Sequence, residues 1–177
     1  MTDSKLRIRA LASEEAHRHS VSLSDILIDC VNGGASVSFM APLSREKAEA
    51  FWHDVADSVA SGERTLLVAE DATTAHLVGT VQVVLKQPEN QPHRADVCKM
   101  LVHRHSRRQG VGAMLMRAAE TSARASGKTL LVLDTVTGSD GERLYARLGW
   151  QRVGEIPGYA LWPDGRPCPT TYYYKEI

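Results

Sequence analysis

The stretch Arg107-Arg108-Gln109-Gly110-Val111-Gly112 constrains the chain more than any other. A strand-like run over 97–102 leads into it, and a helix-like run over 112–126 leaves it. Glycines one residue apart let the backbone turn tightly and approach a ligand without Cβ interference. A helix that starts there aims its unpaired N–H groups and positive dipole end at the same spot. With two arginines beside it, the turn reads as an anion site. The alternative is a plain strand-to-helix turn with solvated arginines.

Spacing excludes two familiar phosphate loops. The dinucleotide fingerprint needs a third glycine three residues after Gly112, where Leu115 stands. A Walker A loop built on Gly127-Lys128-Thr129 needs a glycine five residues before Gly127, where Ser122 stands. Gly127 reads instead as the residue that ends the helix.

The rest of the chain alternates strands and helices. Leu6-Arg7-Ile8-Arg9 alternates as a first strand. Ser13 is placed to cap a helix from 14 to about 30, with Val21, Leu27, Ile28 and Val31 on a buried stripe. Adjacent glycines break the pattern over 32–40, and a second helix is expected over 44–61. Strand-like runs over 64–70 and 76–85 are joined by a short polar link and form an antiparallel hairpin. A wider loop over 86–92 precedes a strand over 94–102. After the glycine turn and its helix come a strand over 129–135, a short helix containing Tyr145, and a terminal hairpin over 159–174. That hairpin turns at Pro163-Asp164-Gly165. This order predicts an α/β chain with a mixed sheet and helices on both faces.

Composition sets outer limits. With 177 residues the expectation is one domain spanning 1–177. Lys+Arg and Asp+Glu both total 21, so no global charge favours nucleic acid or an anionic membrane. The first ten residues are too charged for a signal peptide, and no apolar run approaches membrane-spanning length. Cys30, Cys98 and Cys168 are widely spaced with no Cys-x-x-Cys pair, and the histidines make no metal-binding pattern. The expected setting is the reducing cytoplasm, with no metal, no nucleic acid and no membrane partner.

Two segments together resemble a known family. Arg107 to Gly112 matches the Arg/Gln-x-x-Gly-x-Gly/Ala motif of the GNAT acetyltransferase superfamily. Leu144-Tyr145-Ala146-Arg147-Leu148-Gly149-Trp150 resembles its Tyr-x-x-x-Gly-aromatic segment, with one strand between the two. The resemblance implies the GNAT fold: a mixed, mostly antiparallel sheet of about six or seven strands, splayed beside the turn to admit acetyl-CoA as cosubstrate. It further implies that backbone amides of the turn hold the pyrophosphate. The cofactor set is then Met100, Leu101 and Val102 on the strand, Arg107, Arg108, Gln109, Gly110, Val111, Gly112 and Ala113 in the turn, and Tyr145. Many members carry an asparagine seven residues before the tyrosine; here that position is Gly138.

A narrower likeness, to the tabtoxin-resistance type of acetyltransferase, rests on Gly33-Gly34-Ala35-Ser36-Val37-Ser38-Phe39-Met40, Leu133-Asp134-Thr135, Gly138-Ser139 and the segment from Gly154 to Gly165. It implies Asp96 and Asp134 as bases and Tyr145 as the acid; Asp96 falls where a glutamate is expected. The chemistry requires such groups. An alkyl ammonium has a pKa near ~10, so deprotonating it at neutral pH costs roughly 4 kcal/mol, and a tuned base assists. Asp134 stands at the C-terminal edge of an apolar strand, where α/β sheets place ligands. Asp96 opens the neighbouring strand and, by period two, shares a face with Cys98 and Met100. Gly34, Ser36 and Phe39, with Asp134, are the candidates for holding the acceptor. Cys98 could serve as a ping-pong nucleophile, but no partnered base is visible beside it. The expected function is N-acetylation of a small amine or amino-acid-like molecule, a toxin or antibiotic among the candidates, by a monomer or homodimer. The alternative is a non-catalytic acyl-CoA sensor.

Overall fold

The computed structural model describes residues 5–177. The reading of the N-terminal charge rests partly on Met1, Thr2, Asp3 and Ser4, which lie outside the described residues. The strands are β1 (Leu6–Leu11), β2 (Arg64–Asp71), β3 (Leu77–Val84), β4 (Arg94–Val102), β5 (Leu130–Val136), β6 (Gln151–Leu161) and β7 (Pro167–Glu176). The helices are α1 (Ser13–Arg18), α2 (Ser20–Asn32), α3 (Arg45–Ala60), α4 (Val111–Ala125) and α5 (Asp140–Arg147).

The strands form one seven-stranded sheet in the order β1-β2-β3-β4-β5-β7-β6. Every neighbouring pair is antiparallel except β4 and β5, which run parallel. Helices cover both faces, as the element order predicts. Leu23, Ile26, Leu27 and Val31 of α2 and Trp52 and Val55 of α3 pack on Leu11, Leu66, Val68 and Leu101 on one face. Leu115, Met116, Ala119 and Ala123 of α4 pack on Val81, Val83, Ala95, Val97, Leu131 and Leu133 on the other. Both clusters are almost free of solvent, so apolar burial at about 25 cal/mol per Å² holds each layer.

Local chemistry explains the boundaries. The β2–β3 hairpin closes because Asp71 Oδ1 accepts from the N–H groups of Thr73 and Thr74, at 2.8 and 3.0 Å. Ser44 caps α3 by accepting from Lys47 N–H at 3.2 Å. At the end of α4, Gly127 N–H reaches Arg124 O (2.9 Å) and Lys128 N–H reaches Ala123 O (3.0 Å), with Gly127 at φ 75°; this is a Schellman stop.

Several expectations need correction. The first helix is kinked at His19 and continues to Asn32, and Ser13 is its first residue, not its cap. The Ala12 N–H is satisfied instead by Glu15 Oε2 at 3.3 Å. The terminal hairpin starts at Gln151, well before 159. β4 does not keep period two throughout. Thr80 pairs with Leu101 but Gln82 pairs with Cys98, so β4 carries an extra residue, and Lys99 lies at φ 50°. This β-bulge exchanges the faces. Ala95 and Val97 face α4, whereas beyond the bulge Met100 and Val102 do. Met100 therefore does not share a face with Asp96 and Cys98.

β6 is an edge strand of 11 residues, exposed along nearly its whole length. Its pairing with β7 breaks register between Ile156 and Ala160, around Pro157 and Gly158.

Candidate active site

β4 and β5 are paired only from Arg94–Leu130 to Asp96–Val132, after which the strands part. β5 instead stays with β7 as far as Val136. The gap opens into a cleft of about 870 Å³. It is walled by residues 33–40, by β4 from Val97 to Val102, by most of the glycine turn, by α5, and by the hairpin residues Tyr159, Leu161 and Trp162.

At one end lies the turn. Arg108 (φ 62°) and Gly110 (φ 82°) are both left-handed, a geometry that lets successive N–H groups converge on an anion. Among the described residues, the N–H groups of residues 108–113 donate to no protein acceptor. α4 also has no side-chain N-cap: its N-cap is Gly110, which leaves the first N–H groups of the helix without a side-chain acceptor. The residues here therefore suit a diphosphate.

The turn is held from behind. Asp29, on α2, accepts from Arg104 N–H at 2.9 Å and from Arg104 Nε, with only 10% of its side chain exposed. Burial opposes its charge, but these Arg104 contacts and His103 bring the net pKa below the ordinary carboxylate value. Arg107 belongs to the same latch: its Nε donates to Val102 O at 3.0 Å, and its NH2 lies 4.0 Å from Asp29. It is thus anchored on its own scaffold. Arg108, by contrast, is exposed and 3.7 Å from Asp140, which also pairs with Arg143.

At the other end stand Asp134 and Tyr145. Leu131 and Leu133 enter the α4-side core, so alternation turns Asp134 to the opposite face. It lines the cleft and is exposed there. Desolvation lifts its pKa, Asp96 adds to the rise, and the Lys99 charge opposes it. Tyr145 is 6% exposed and packed beside Trp150 and Tyr173, with ring centroids 6.1 and 6.2 Å away. No hydrogen bond engages its hydroxyl among the described residues. Burial first, then the Asp134 charge, push that hydroxyl far above its ordinary pKa, so it keeps its proton. Trp150 is fixed in turn by Glu120, which accepts from the indole Nε1 (3.2 Å) and from Lys175 (2.8 Å).

The cleft brings together Gly34, Ser36, Phe39, Met100, Leu101, Val102, Arg107, Arg108, Gly110, Val111, Gly112, Ala113, Asp134 and Tyr145. Gln109 lies outside it, its amide donating to His105 O at 3.0 Å. Asp96 lies outside it too. It lines a smaller groove of about 430 Å³ that meets the cleft at Val97, Cys98 and Asp134. There Asp96 accepts from Arg94 NH1 (2.5 Å) and Gln87 Nε2 (3.0 Å), so its carboxylate is engaged. Cleft residues that sequence reasoning missed include Lys99, Arg143 and Arg147. The arginines recur at helical spacing after Asp140, a signal that was legible; Lys99 is hidden by the bulge.

Residues 31–150 match the sequence model of the acetyltransferase (GNAT) family. The chain belongs to the GNAT family. An uncharacterised N-acetyltransferase of Azospirillum brasilense, from the hisH–hisA intergenic region, is 32% identical over 137 residues, covering 76% of each chain. Solved GNAT-like folds superpose along almost the whole length of this GNAT chain. Salmonella typhimurium yncA, solved with its cofactor acetyl-CoA, is 16% identical with a TM-score of 0.78, covering 98% of this chain and 94% of its own. A GCN5-related N-acetyltransferase from Kribbella flavida is 19% identical with a TM-score of 0.80, covering 99% and 100%. Among the described residues of this GNAT protein, no metal-binding cluster forms and no helix is long and apolar enough to cross a membrane.

Proposed function

We propose that this GNAT enzyme is an acetyl-CoA-dependent N-acetyltransferase for a small amine or amino-acid-like acceptor. The observation that carries this is one cleft with unpaired N–H groups of residues 108–113 at one end and Asp134 with Tyr145 at the other. The amides hold the diphosphate of acetyl-CoA, and the parted strands admit its acyl arm. Asp134, ionised, takes a proton from the incoming ammonium. The amine nitrogen bonds to the thioester carbonyl carbon and the C–S bond breaks. Tyr145 hands its proton to the departing sulfur while regaining the second proton that the nitrogen sheds as the amide forms.

Direct attack of the amine is favoured over a cysteine relay. Burial pushes the Cys98 thiol above its ordinary pKa, and its Sγ meets only Gln82 Oε1 at 3.8 Å, so little thiolate forms at neutral pH. A small acceptor is favoured by the roof over the acyl end. Ser36 Oγ donates to Leu161 O at 2.7 Å and Ala41 N–H to Pro163 O at 3.0 Å, bridging the 33–40 loop to the terminal hairpin. The motif resemblance to tabtoxin-resistance acetyltransferases supports detoxification of a toxin or antibiotic as the role, and the unpaired cysteines support a cytoplasmic setting.

Incubation with acetyl-CoA and a panel of amines, followed by free-thiol release, tests the proposal. Amine-dependent release is the expected result. Tight CoA binding without turnover on any amine would overturn it in favour of a sensor.

A further inference from the structure

Lys99 is the cleft residue whose role remains open. It occupies the bulge of β4 in a left-handed conformation, φ 50°, which a non-glycine residue adopts only under constraint from its surroundings. Its Nζ donates to Ser38 Oγ at 3.0 Å and lies 5.9 Å from the centroid of Phe51. Among the described residues, no carboxylate comes within ion-pair distance of it. Of the other cleft cations, Arg107 is latched towards Asp29, Arg108 and Arg143 sit against Asp140, and Arg147, on the last turn of α5, makes no salt bridge among the described residues.

Lys99 on β4 and Asp134 on β5 line the same cleft beyond the point where the two strands part, with no salt bridge between them. The Lys99 charge favours the ionised form of Asp134. An ammonium and a carboxylate held apart on the two parted strands leave each other incompletely compensated. A zwitterion of opposite orientation completes both. A lone ammonium would satisfy Asp134 but be repelled by Lys99; an added carboxylate removes that repulsion and gains a charge-assisted hydrogen bond. Ser38, which now accepts from Lys99, belongs to the loop that roofs this end.

Resting on the acetyltransferase reading above, we propose that Lys99 binds the carboxylate of the acceptor, and that the acceptor is a free amino acid with its amine towards Asp134. Amines without a carboxylate, and the amino termini of proteins, whose first carbonyl is an uncharged amide, are then poor acceptors.

The test pairs common L-amino acids with their carboxamides. Binding to the CoA-loaded protein is measured by calorimetry, and turnover by thiol release. At least one acid is expected to bind and react about tenfold or more better than its amide, the scale of one lost charged hydrogen bond. Lys99→Met should bring that preference towards one without weakening CoA binding, and Lys99→Arg should restore part of it. An acid-over-amide preference that survives Lys99→Met overturns the assignment. So does equal handling of acids and amides by the wild-type protein, or a failure of every acid to bind. If amino acids bind with the predicted preference yet no amine is acetylated, the subsite stands and the acetyltransferase reading falls.

Discussion

Replacing Asp29 by alanine asks what keeps the glycine turn in place. The side chain is 10% exposed and accepts from the Arg104 N–H at 2.9 Å and from its guanidinium, with Arg107 NH2 at 4.0 Å. A charge-assisted bond to a backbone N–H contributes about 1.5–3 kcal/mol. The guanidinium pair adds less than about 1 kcal/mol, because Arg104 is half exposed and screened. A loss of about 2–3 kcal/mol lowers the melting temperature by roughly 5–10 °C for a chain of this size. The folded pKa of Asp29 is depressed. Its contribution is therefore fully present above the unfolded value near ~3.9 and fades as pH falls through the folded pKa below it. Wild type and variant should thus differ at pH 7 and converge in stronger acid. Because residues 104–107 feed directly into the N–H cradle, CoA affinity measured by calorimetry should fall about tenfold, if roughly half the lost energy is felt there. An unchanged affinity alongside a lowered melting temperature would refute the positioning role and leave Asp29 a stability residue only.

Two further outcomes follow from the site. Since desolvation raises the pKa of Asp134, the acidic limb of the kcat/KM profile should lie above the ordinary aspartate range. Asp134→Asn should erase that limb and slow turnover by about 10²–10⁴. An acid whose folded pKa is raised weakens folding once it ionises, so the same variant should melt slightly higher at neutral pH; a lower melting point would contradict the desolvation argument. Gly110→Ala places a Cβ in open space at φ 82°, so its cost is conformational alone. About 1–2 kcal/mol is expected, read as a drop of a few degrees in a thermal melt, and no drop would mean that the turn relaxes.

The parts legible in sequence were those with local causes. Gly110 and Gly112 mark the turn because the backbone demand is written in the residue type. The apolar alternation at Leu131 and Leu133 turned Asp134 out of the core. Other parts depended on partners distant in sequence. Nothing local to Arg107 shows that its guanidinium is also braced by Val102 O and lies 4.0 Å from Asp29. Asp96 looks equivalent to Asp134 until Arg94 and Gln87 are seen to occupy it. The Lys99 bulge exists because β3 and β4 match their faces over a register that no run of β4 residues declares by itself. Ser13 carries an N-cap residue type, yet Glu15 reaches back to Ala12 first and the helix begins one residue early.

The outer strand β6 has a consequence for behaviour at high concentration. Eleven residues of unprotected margin would ordinarily template the addition of a strand from a neighbouring molecule and seed aggregation. Pro157 offers no N–H to such a visitor, and the register break between Ile156 and Ala160 bends the margin away from a straight ladder. The same kink that shapes the hairpin wall of the cleft therefore also serves as a built-in guard against edge-to-edge polymerisation.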